Sequence, residues 1–286
     1  MMVTITPSPA ELAAGRLSDA NVAKAREAIL RDGCVALQDV VSQESLDVLH
    51  EVMIRDLDLF LNSPNKPFNW VKGNVQQGPP PVDPYLFRDV LVNDFVIQAT
   101  KSVLGPGLHN IMYGGNTAMP SESRQPAHAD IGQLWPNQEV AHYPAMLVVN
   151  IPTVDVSAAN GSTEIWLGTH LDTSVAMQDG DIVVAPDVLE ARRAISPPLQ
   201  PDIKRGTAVI RDVRMWHAGM PNRTENPRPM IAMIHAVSWW EKGSLPFPKG
   251  SEAVFEHPDL VTDTVFVEPD SLDYVKLHGG YAYEGK

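Results

Sequence analysis

Three stretches within the first 104 residues place apolar residues at the spacing of an amphipathic helix. Ser18 and Ser42 precede two of them and have side chains that cap a helix N-terminus. The pattern predicts helices over 18–31, 42–62 and 93–104, and a strand over 34–40 between the first two. We expect these helices to pack against a sheet.

Beyond residue 109 the pattern changes to short runs of β-favouring residues separated by turns. Strands are predicted over 110–119, 125–131, 145–152, 164–167, 181–184, 207–212 and 229–239, with one inserted helix over 187–194. Helices followed by strands without alternating helices favour a β-sandwich or barrel over a parallel α/β sheet. The expected fold class is therefore mainly β with flanking N-terminal helices.

The segment 65–84 interrupts both patterns because it contains five prolines, which argue against a regular element over most of it. A long ordered loop is often functional, so a lid over a cavity and a packed surface loop are both open interpretations. We expect one domain over 1–286, with N-terminal helices at 18–63, a candidate lid at 65–84, a strand core at about 110–240 and a C-terminal tail at 241–286.

Charge and cysteine content narrow the class of partner. The net charge of −13 argues against nucleic acid, which requires a basic face. A single cysteine, Cys34, excludes an intramolecular disulfide, and we expect a cytoplasmic location. No signal peptide or apolar run of membrane-spanning length stands out. A small-molecule substrate without a membrane partner is the expected setting, and a homodimer is left open.

The candidate chemistry lies in the motif His128-Ala129-Asp130. Residues i and i+2 of a strand point to the same face, so an imidazole and a carboxylate can reach one metal ion. His217, which follows the predicted strand 207–212, can complete a set of two histidines and one carboxylate. This set leaves adjacent coordination positions open and suits Fe(II), whereas a zinc site is more often closed.

Arg228 lies eleven residues beyond His217, immediately before a predicted strand. A guanidinium group binds a carboxylate through two parallel hydrogen bonds. Iron beside such an arginine suggests a 2-oxo acid that chelates the metal and places its far carboxylate on Arg228.

Together these residues resemble the phytanoyl-CoA dioxygenase family of 2-oxoglutarate oxygenases, over roughly residues 29–240. The resemblance rests on His128-x-Asp130, Asn160-Gly161-Ser162-Thr163-Glu164, Gly168-Thr169-His170, Trp216-His217 and Arg228, which occur in the family's order. It implies a double-stranded β-helix, or jelly roll. It also implies Fe(II), 2-oxoglutarate and O₂ as the metal, co-substrate and oxidant, with Gln125 and Thr163 assisting Arg228 in holding 2-oxoglutarate.

Further motifs, including Gln77 and Asn116, are similar to those of family members that oxidise aminoglycosides. The expected reaction is oxidation of an unactivated C–H bond in a small natural product, with hydroxylation, ketone formation, desaturation and ring formation all open. Family halogenases lack the metal carboxylate, so Asp130 argues against halogenation. The alternatives are a jelly-roll metal-binding protein without oxygenase turnover, and a zinc- or manganese-dependent isomerase or hydrolase.

The substrate pocket is predicted from four residues: Gln77, Asn116, Tyr113 and Trp135. Strand alternation places Asn116 on the face opposite Tyr113. Both can point into one pocket only if a bulge, for example at Gly114-Gly115, interrupts the strand.

Overall fold

The computed structural model describes residues 1–64, 67–175 and 182–277. Among these residues, three α-helices lie in the N-terminal part and three more follow. In chain order they are α1 (Pro9–Ala14), α2 (Asp19–Asp32), α3 (Gln43–Leu61), α4 (Arg88–Leu91), α5 (Asp94–Leu104) and α6 (Pro186–Ile195).

The boundaries of the long helices follow from their capping residues. Ser18, Ser42 and Asn93 each accept a hydrogen bond from the backbone of the first turn of α2, α3 and α5. Gly33 ends α2 in the left-handed conformation, with φ of 86°. All three predicted N-terminal helices are confirmed to within two residues.

A nine-stranded mixed sheet forms the centre of the protein. We call it the large sheet. Its strands are β1 (Thr4–Ile5), β2 (Cys34–Leu37), β3 (Phe68–Asn69), β4 (Val71–Gln76), β5 (His109–Ala118), β6 (Met146–Pro152), β8 (Ala208–Asp212), β10 (Arg228–Ala236) and β12 (Val261–Thr262). Their order is β1-β2-β8-β6-β10-β5-β4-β3, and β12 also pairs with β5.

One face of the large sheet packs against helices α2, α3 and α5. Alternate residues of β6, such as Leu147, Val149 and Ile151, join the main apolar core together with residues of those helices. Burial of this apolar face supplies most of the driving force for the fold. Because strand side chains alternate, the residues between them, such as Asn150, point away from the helices.

A smaller set of pairings, which we call the small sheet, bounds the other side of the cavity described below. It contains β7 (Glu164–Ile165) and β9 (His217–Ala218), which are antiparallel. Single bridges extend it on both sides. His217 of β9 pairs with His128, which also pairs with Val183, and Ile165 of β7 pairs with Leu199. These pairings are only one or two residues long.

The C-terminal part adds β11 (Leu245–Pro248) and β13 (Thr264–Val267), which pair in parallel as a separate two-stranded sheet. No helix among the described residues has the length and apolarity needed to cross a membrane. Helices contain 29% of the residues and strands contain 25%, so the fold is a large mixed sheet with helices. The description as mainly β understates the helices.

Three predicted segments differ from the structure. In the predicted strand 181–184, residue 181 lies outside the described residues and the remainder forms only a single bridge at Val183. The segment 125–131 is not a continuous strand, because the backbone N–H groups of His128, Ala129 and Asp130 bond to three different segments, at His217, Ile182 and Val213. Part of the segment 65–84 forms β3 and β4 at the edge of the large sheet, since Val71–Gln76 contains no proline. Residues 65–66 of that segment lie outside the described residues.

Candidate active site

Two histidines and one carboxylate converge between the two sheets. His128, Asp130 and His217 each offer one ligand atom, and these atoms all lie within 4.8 Å of one another. The imidazole centroids of the histidines are 4.3 Å apart, and His217 Nε2 lies 3.4 Å from Asp130 Oδ1. The antiparallel bridge between His128 and His217 brings the two side chains together.

Local backbone contacts orient both imidazoles in the same way. His128 Nδ1 lies 2.8 Å from the carbonyl oxygen of Pro126, and His217 Nδ1 lies 3.1 Å from that of Met215. A protonated Nδ1 that donates to a carbonyl leaves Nε2 with a free lone pair, which is the common arrangement around metal-bound histidine. Burial and then the neighbouring His217 lower the pKa of His128 to about 3, which keeps its imidazole neutral.

The carboxylate of Asp130 is held by a buried arginine of β8. Arg211 Nη2 lies 2.6 Å from Asp130 Oδ2. Burial alone would raise the pKa of Asp130, but the charge of Arg211 and then His217 outweigh it, and the pKa of the carboxyl lies well below its usual range. Two imidazoles and one anionic oxygen form a donor set that suits a divalent iron ion with open positions.

Arg228, the first residue of β10, places a buried guanidinium near this cluster. Its Nη2 donates to the carbonyl of Gly161 at 2.6 Å and its Nε donates to the carbonyl of Asn160 at 3.3 Å. Burial lowers the pKa of Arg228 to about 10. Its polar contacts are these two carbonyl oxygens and the sulfur of Met230, so among the described residues the buried cation has no anionic partner. Such a site is complementary to a ligand carboxylate.

A polar cavity of about 500 Å³ connects the cluster to Arg228. Both sheets line it, the large sheet through Asn116, Asn150 and Arg211, and the small sheet through His128 and His217. A second, apolar cavity of about 500 Å³ adjoins it. The two share five lining residues: Asn150, Thr163, Arg211, Arg228 and Met230.

The structure brings seven of the ten residues predicted from the sequence to the polar cavity. They are His128, Asp130, His217, Arg228, Thr163, Gln125 and Asn116. Gln125 bridges backbone groups there, since its Oε1 accepts from the N–H of Gly219 at 2.7 Å and its Nε2 donates to the carbonyl of Asn69 at 3.1 Å.

The other three predicted residues do not line this cavity. Gln77 is fully buried and bonds to the carbonyl of Met53 and the hydroxyl of Thr117, on the helix side of the sheet. Tyr113 packs against Phe247 with ring centroids 5.9 Å apart. Strand alternation puts it on the face opposite Asn116, because the irregularity in the pairing of β5 with β10 lies at Ile234/His235 and not at Gly114-Gly115. Trp135 is 51% exposed and touches His142.

Several cavity residues had no sequence signal of their own. Arg211 sits in an ordinary strand pattern, and Asn69, Asn74 and Asn150 are isolated amides in the sequence. Trp70 was part of the irregular segment, and its ring lies 5.0 Å from that of His128. The strand period marks which face Arg211 and Asn150 occupy, but only the three-dimensional pairing shows what that face meets.

Comparison with known proteins identifies the class. A family model described as phytanoyl-CoA dioxygenase matches residues 29–230, which is most of the chain. The chain therefore belongs to the phytanoyl-CoA dioxygenase family, whose members are non-haem iron dioxygenases that depend on 2-oxoglutarate. The family, enzyme class and cofactors predicted from the sequence are confirmed.

Three solved structures share the fold at low sequence identity. EctD from S. alaskensis, solved with 2-oxoglutarate and 5-hydroxyectoine, is 15% identical with a TM-score of 0.59, over 77% of this chain and 76% of its own. SnoN, an alpha-ketoglutarate-dependent epimerase from nogalamycin biosynthesis, is 15% identical with a TM-score of 0.58, over 84% and 89%. SnoK, a carbocyclase from the same biosynthesis, is 16% identical with a TM-score of 0.57, over 81% and 87%.

Proposed function

We propose that this dioxygenase oxidises an unactivated C–H bond of a small-molecule natural product, with Fe(II) held by His128, Asp130 and His217. The observation that carries the proposal is that this donor set and the guanidinium of Arg228, which has no anionic partner among the described residues, border the same cavity. The metal cluster provides a place for chelation, and the cation provides a place for the second carboxylate of 2-oxoglutarate. With O₂ and 2-oxoglutarate, bound iron supplies an oxidant able to remove hydrogen from such a C–H bond.

The residues of this chain have distinct tasks in the proposed reaction. Arg228 binds the far carboxylate of 2-oxoglutarate, and Thr163, which borders the same cavity, assists it. Gln125 ties the segment before His128 to the end of β9, which keeps the two histidine segments together. The cavity walls orient the substrate and exclude bulk water, so the protein selects which C–H bond is attacked.

Cavity chemistry favours a small polar substrate over a long acyl chain. Five amide side chains line the polar cavity: Asn69, Asn74, Asn116, Gln125 and Asn150. The Oδ1 atom of Asn74 is buried and accepts no hydrogen bond from the described residues. Amides donate and accept hydrogen bonds without adding charge, so they suit hydroxyl and amine groups of a ligand. The nogalamycin proteins among the structural neighbours support a natural-product role.

We further propose that the fold is a double-stranded β-helix, or jelly roll. The arrangement of a large and a small sheet around one cavity supports this description. In such a fold side chains of both sheets reach the interior, which explains how the cluster can be assembled from distant segments.

Succinate formation tests the proposed function directly. Purified protein is incubated with Fe(II), 2-oxoglutarate and air, with and without a panel of small natural products, and succinate is quantified. We expect substrate-stimulated succinate in the unchanged protein and none with Asp130→Ala, with the Arg223→Ala variant of an exposed ion pair as the control. Metal binding without succinate under every substrate would instead favour a metal-binding protein without turnover.

A further inference from the structure

Arg211 of β8 has a buried hydrogen-bond donor that no group of the protein satisfies. Its Nη2 donates to Asp130 Oδ2 at 2.6 Å and its Nε donates to Asn150 Oδ1 at 3.4 Å. The third nitrogen, Nη1, is buried and has no hydrogen-bond partner among the described residues. The side chain is only 9% exposed.

Leaving a charged donor buried without a partner destabilises the folded protein. Such a cost is tolerated where a ligand supplies the missing acceptor. Arg211 lines both the polar and the apolar cavity, and Thr163 and Arg228 border the same two spaces. The unsatisfied donor therefore belongs to a guanidinium that reaches the candidate ligand space instead of the apolar core.

The geometry also limits which ligand group can reach it. Nη1 and Nη2 are bonded to one carbon, and Nη2 is already on Asp130. One of the two Nη1 hydrogens points to the same end of the guanidinium as Nη2, so an acceptor beside Asp130 can satisfy it. The carboxylate next to the keto group of a metal-chelating 2-oxo acid is an anionic acceptor that can occupy a position adjacent to that metal ligand.

We propose that Arg211 binds this first carboxylate of the 2-oxo acid through Nη1, while its Nη2 holds Asp130 with Oδ1 turned toward His217. The inference rests on the proposed function. It divides the co-substrate between two arginines: Arg211 binds the carboxylate beside the keto group and Arg228 binds the far carboxylate. Each arginine then has its own signature in binding experiments.

Pyruvate and 2-oxoglutarate separate the two signatures, since both carry the first carboxylate and only 2-oxoglutarate carries the second. Each is titrated into anaerobic protein saturated with Fe(II), and the visible absorption band of the chelate gives its dissociation constant. We expect Arg211→Gln to weaken both compounds by a similar factor, on the order of tenfold or more. Arg228→Gln, the matched control, is expected to weaken 2-oxoglutarate and leave pyruvate unchanged.

Arg211→Gln places its amide where the Nε of arginine lies and removes both Nη donors, and Arg211→Lys keeps the charge but loses the planar fork. Fe(II) affinity without a 2-oxo acid is measured separately for each variant. A role confined to Asp130 lowers Fe(II) affinity and leaves both 2-oxo acid constants unchanged at saturating metal. We expect Arg211→Lys to weaken pyruvate binding less than Arg211→Gln does. If the glutamine variant fails to fold, pyruvate binding by the lysine variant alone tests the role of Arg211.

The possible failures are distinct. Unchanged pyruvate binding in the Arg211 variants, with 2-oxoglutarate weakened only by Arg228→Gln, overturns the role of Arg211 and leaves the proposed function standing. Absence of the absorption band with both compounds in the unchanged protein overturns the proposed function itself.

Discussion

The large sheet and the small sheet position their polar residues by different means. Strands of the large sheet run for up to ten residues, and side-chain alternation alone turns Arg211, Asn150 and Arg228 toward the cavity. The small sheet has pairings of one or two residues, and it carries His128 and His217. The two arginines are therefore positioned by the regular hydrogen bonding of long strands, whereas the two histidines depend on short pairings and on contacts with neighbouring backbone.

This difference has an energetic consequence. The ladder of the large sheet is backed by the main apolar core, which includes residues of α2, α3 and α5. The small sheet is held by short backbone pairings and a smaller apolar cluster that includes Trp166 and Trp216, and its histidines converge on a place for a metal ion. A ligand that binds only the folded state stabilises it, so metal should reinforce the small sheet more than the large one.

The largest expected effect comes from removing a ligand of the small sheet. His217→Ala should abolish Fe(II) binding and succinate formation, because the remaining histidine and carboxylate cannot hold the ion in the required arrangement. The protein should remain folded, since the large sheet does not depend on this side chain. Metal content after equilibrium dialysis and circular dichroism check both statements. His142→Ala, at a half-buried histidine outside the cavity, is the control, and normal iron content in His217→Ala would refute the assignment.

A substitution in the large sheet should instead destabilise the fold. A Cβ at Gly115 would lie 2.3 Å from the carbonyl oxygen of Met230 and 2.7 Å from that of Gln77, both backbone atoms. Gly115→Ala should therefore lower the free energy of unfolding by about 1–3 kcal/mol or more. Urea denaturation measures this loss. Gly15→Ala, where only the backbone conformation is strained and no atom lies within 4 Å, should lose less. Equal losses would contradict the close approach of these strands.

Buried histidine in the large sheet should make stability depend on pH. Burial, and next the neighbouring His109, lower the pKa of His235 from 6.5 to about 3. In the unfolded chain His235 is protonated below about pH 6.5, whereas in the folded protein it stays neutral down to about pH 3. The free energy of unfolding therefore falls as the pH falls through this window. At pH 5 the loss from this residue reaches about 2 kcal/mol.

Urea denaturation of metal-free protein at pH 7 and pH 5 tests this window. His235→Asn removes the titrating group and keeps a polar side chain for the hydroxyl of Thr100, which lies 2.9 Å from His235 Nδ1. The variant should lose less stability than the unchanged protein between the two pH values. His128 contributes with the same sign in both proteins, so the difference between them isolates His235. An identical loss in the two proteins would contradict the prediction.

The same contrast explains how much the sequence could predict. Helices α2, α3 and α5 and the long strands β5, β6, β8 and β10 follow from local apolar periodicity and capping, so their positions were predictable. The segment around His128 changes partner at each residue, and no local pattern encodes that path. The motif at His128 and Asp130 was still visible because its meaning comes from residue types and order, which the family resemblance supplied.

Other parts of the site depend on long-range pairing. Arg211 forms an ion pair with Asp130, which lies 81 residues earlier in the sequence. The periodicity of β8 indicates only the face on which Arg211 lies. Gln77 is the converse example, since a motif suggested a pocket residue and the fold uses its amide to bond Met53 and Thr117. A short polar motif does not show on which face of a sheet its side chains lie. The roles of Gln125 and Thr163 toward 2-oxoglutarate stay predictions.

The smallest effect is expected at Trp70, where the edge of the large sheet touches the small one. Its ring lies 5.0 Å from the imidazole of His128 at an interplanar angle of 39°, and its backbone is left-handed, with φ of 68°. A bulky residue in that conformation is strained, and the ring contact compensates for part of the strain. Trp70→Ala removes the ring and keeps the strain, whereas Trp70→Gly removes both.

This matched pair separates the ring from the backbone. Both variants should weaken metal binding by about 0.5–1.5 kcal/mol, because each loses the aromatic contact that restrains His128. In metal-free protein Trp70→Gly should be about 1 kcal/mol more stable than Trp70→Ala, since glycine adopts positive φ without strain. Fe(II) titration and urea denaturation measure the two quantities. Equal stability of the variants would show that the left-handed backbone carries no cost. Metal affinity unchanged in both would show that local backbone contacts hold His128 without the ring, so the small sheet would position its ligands as independently as the large sheet positions its arginines.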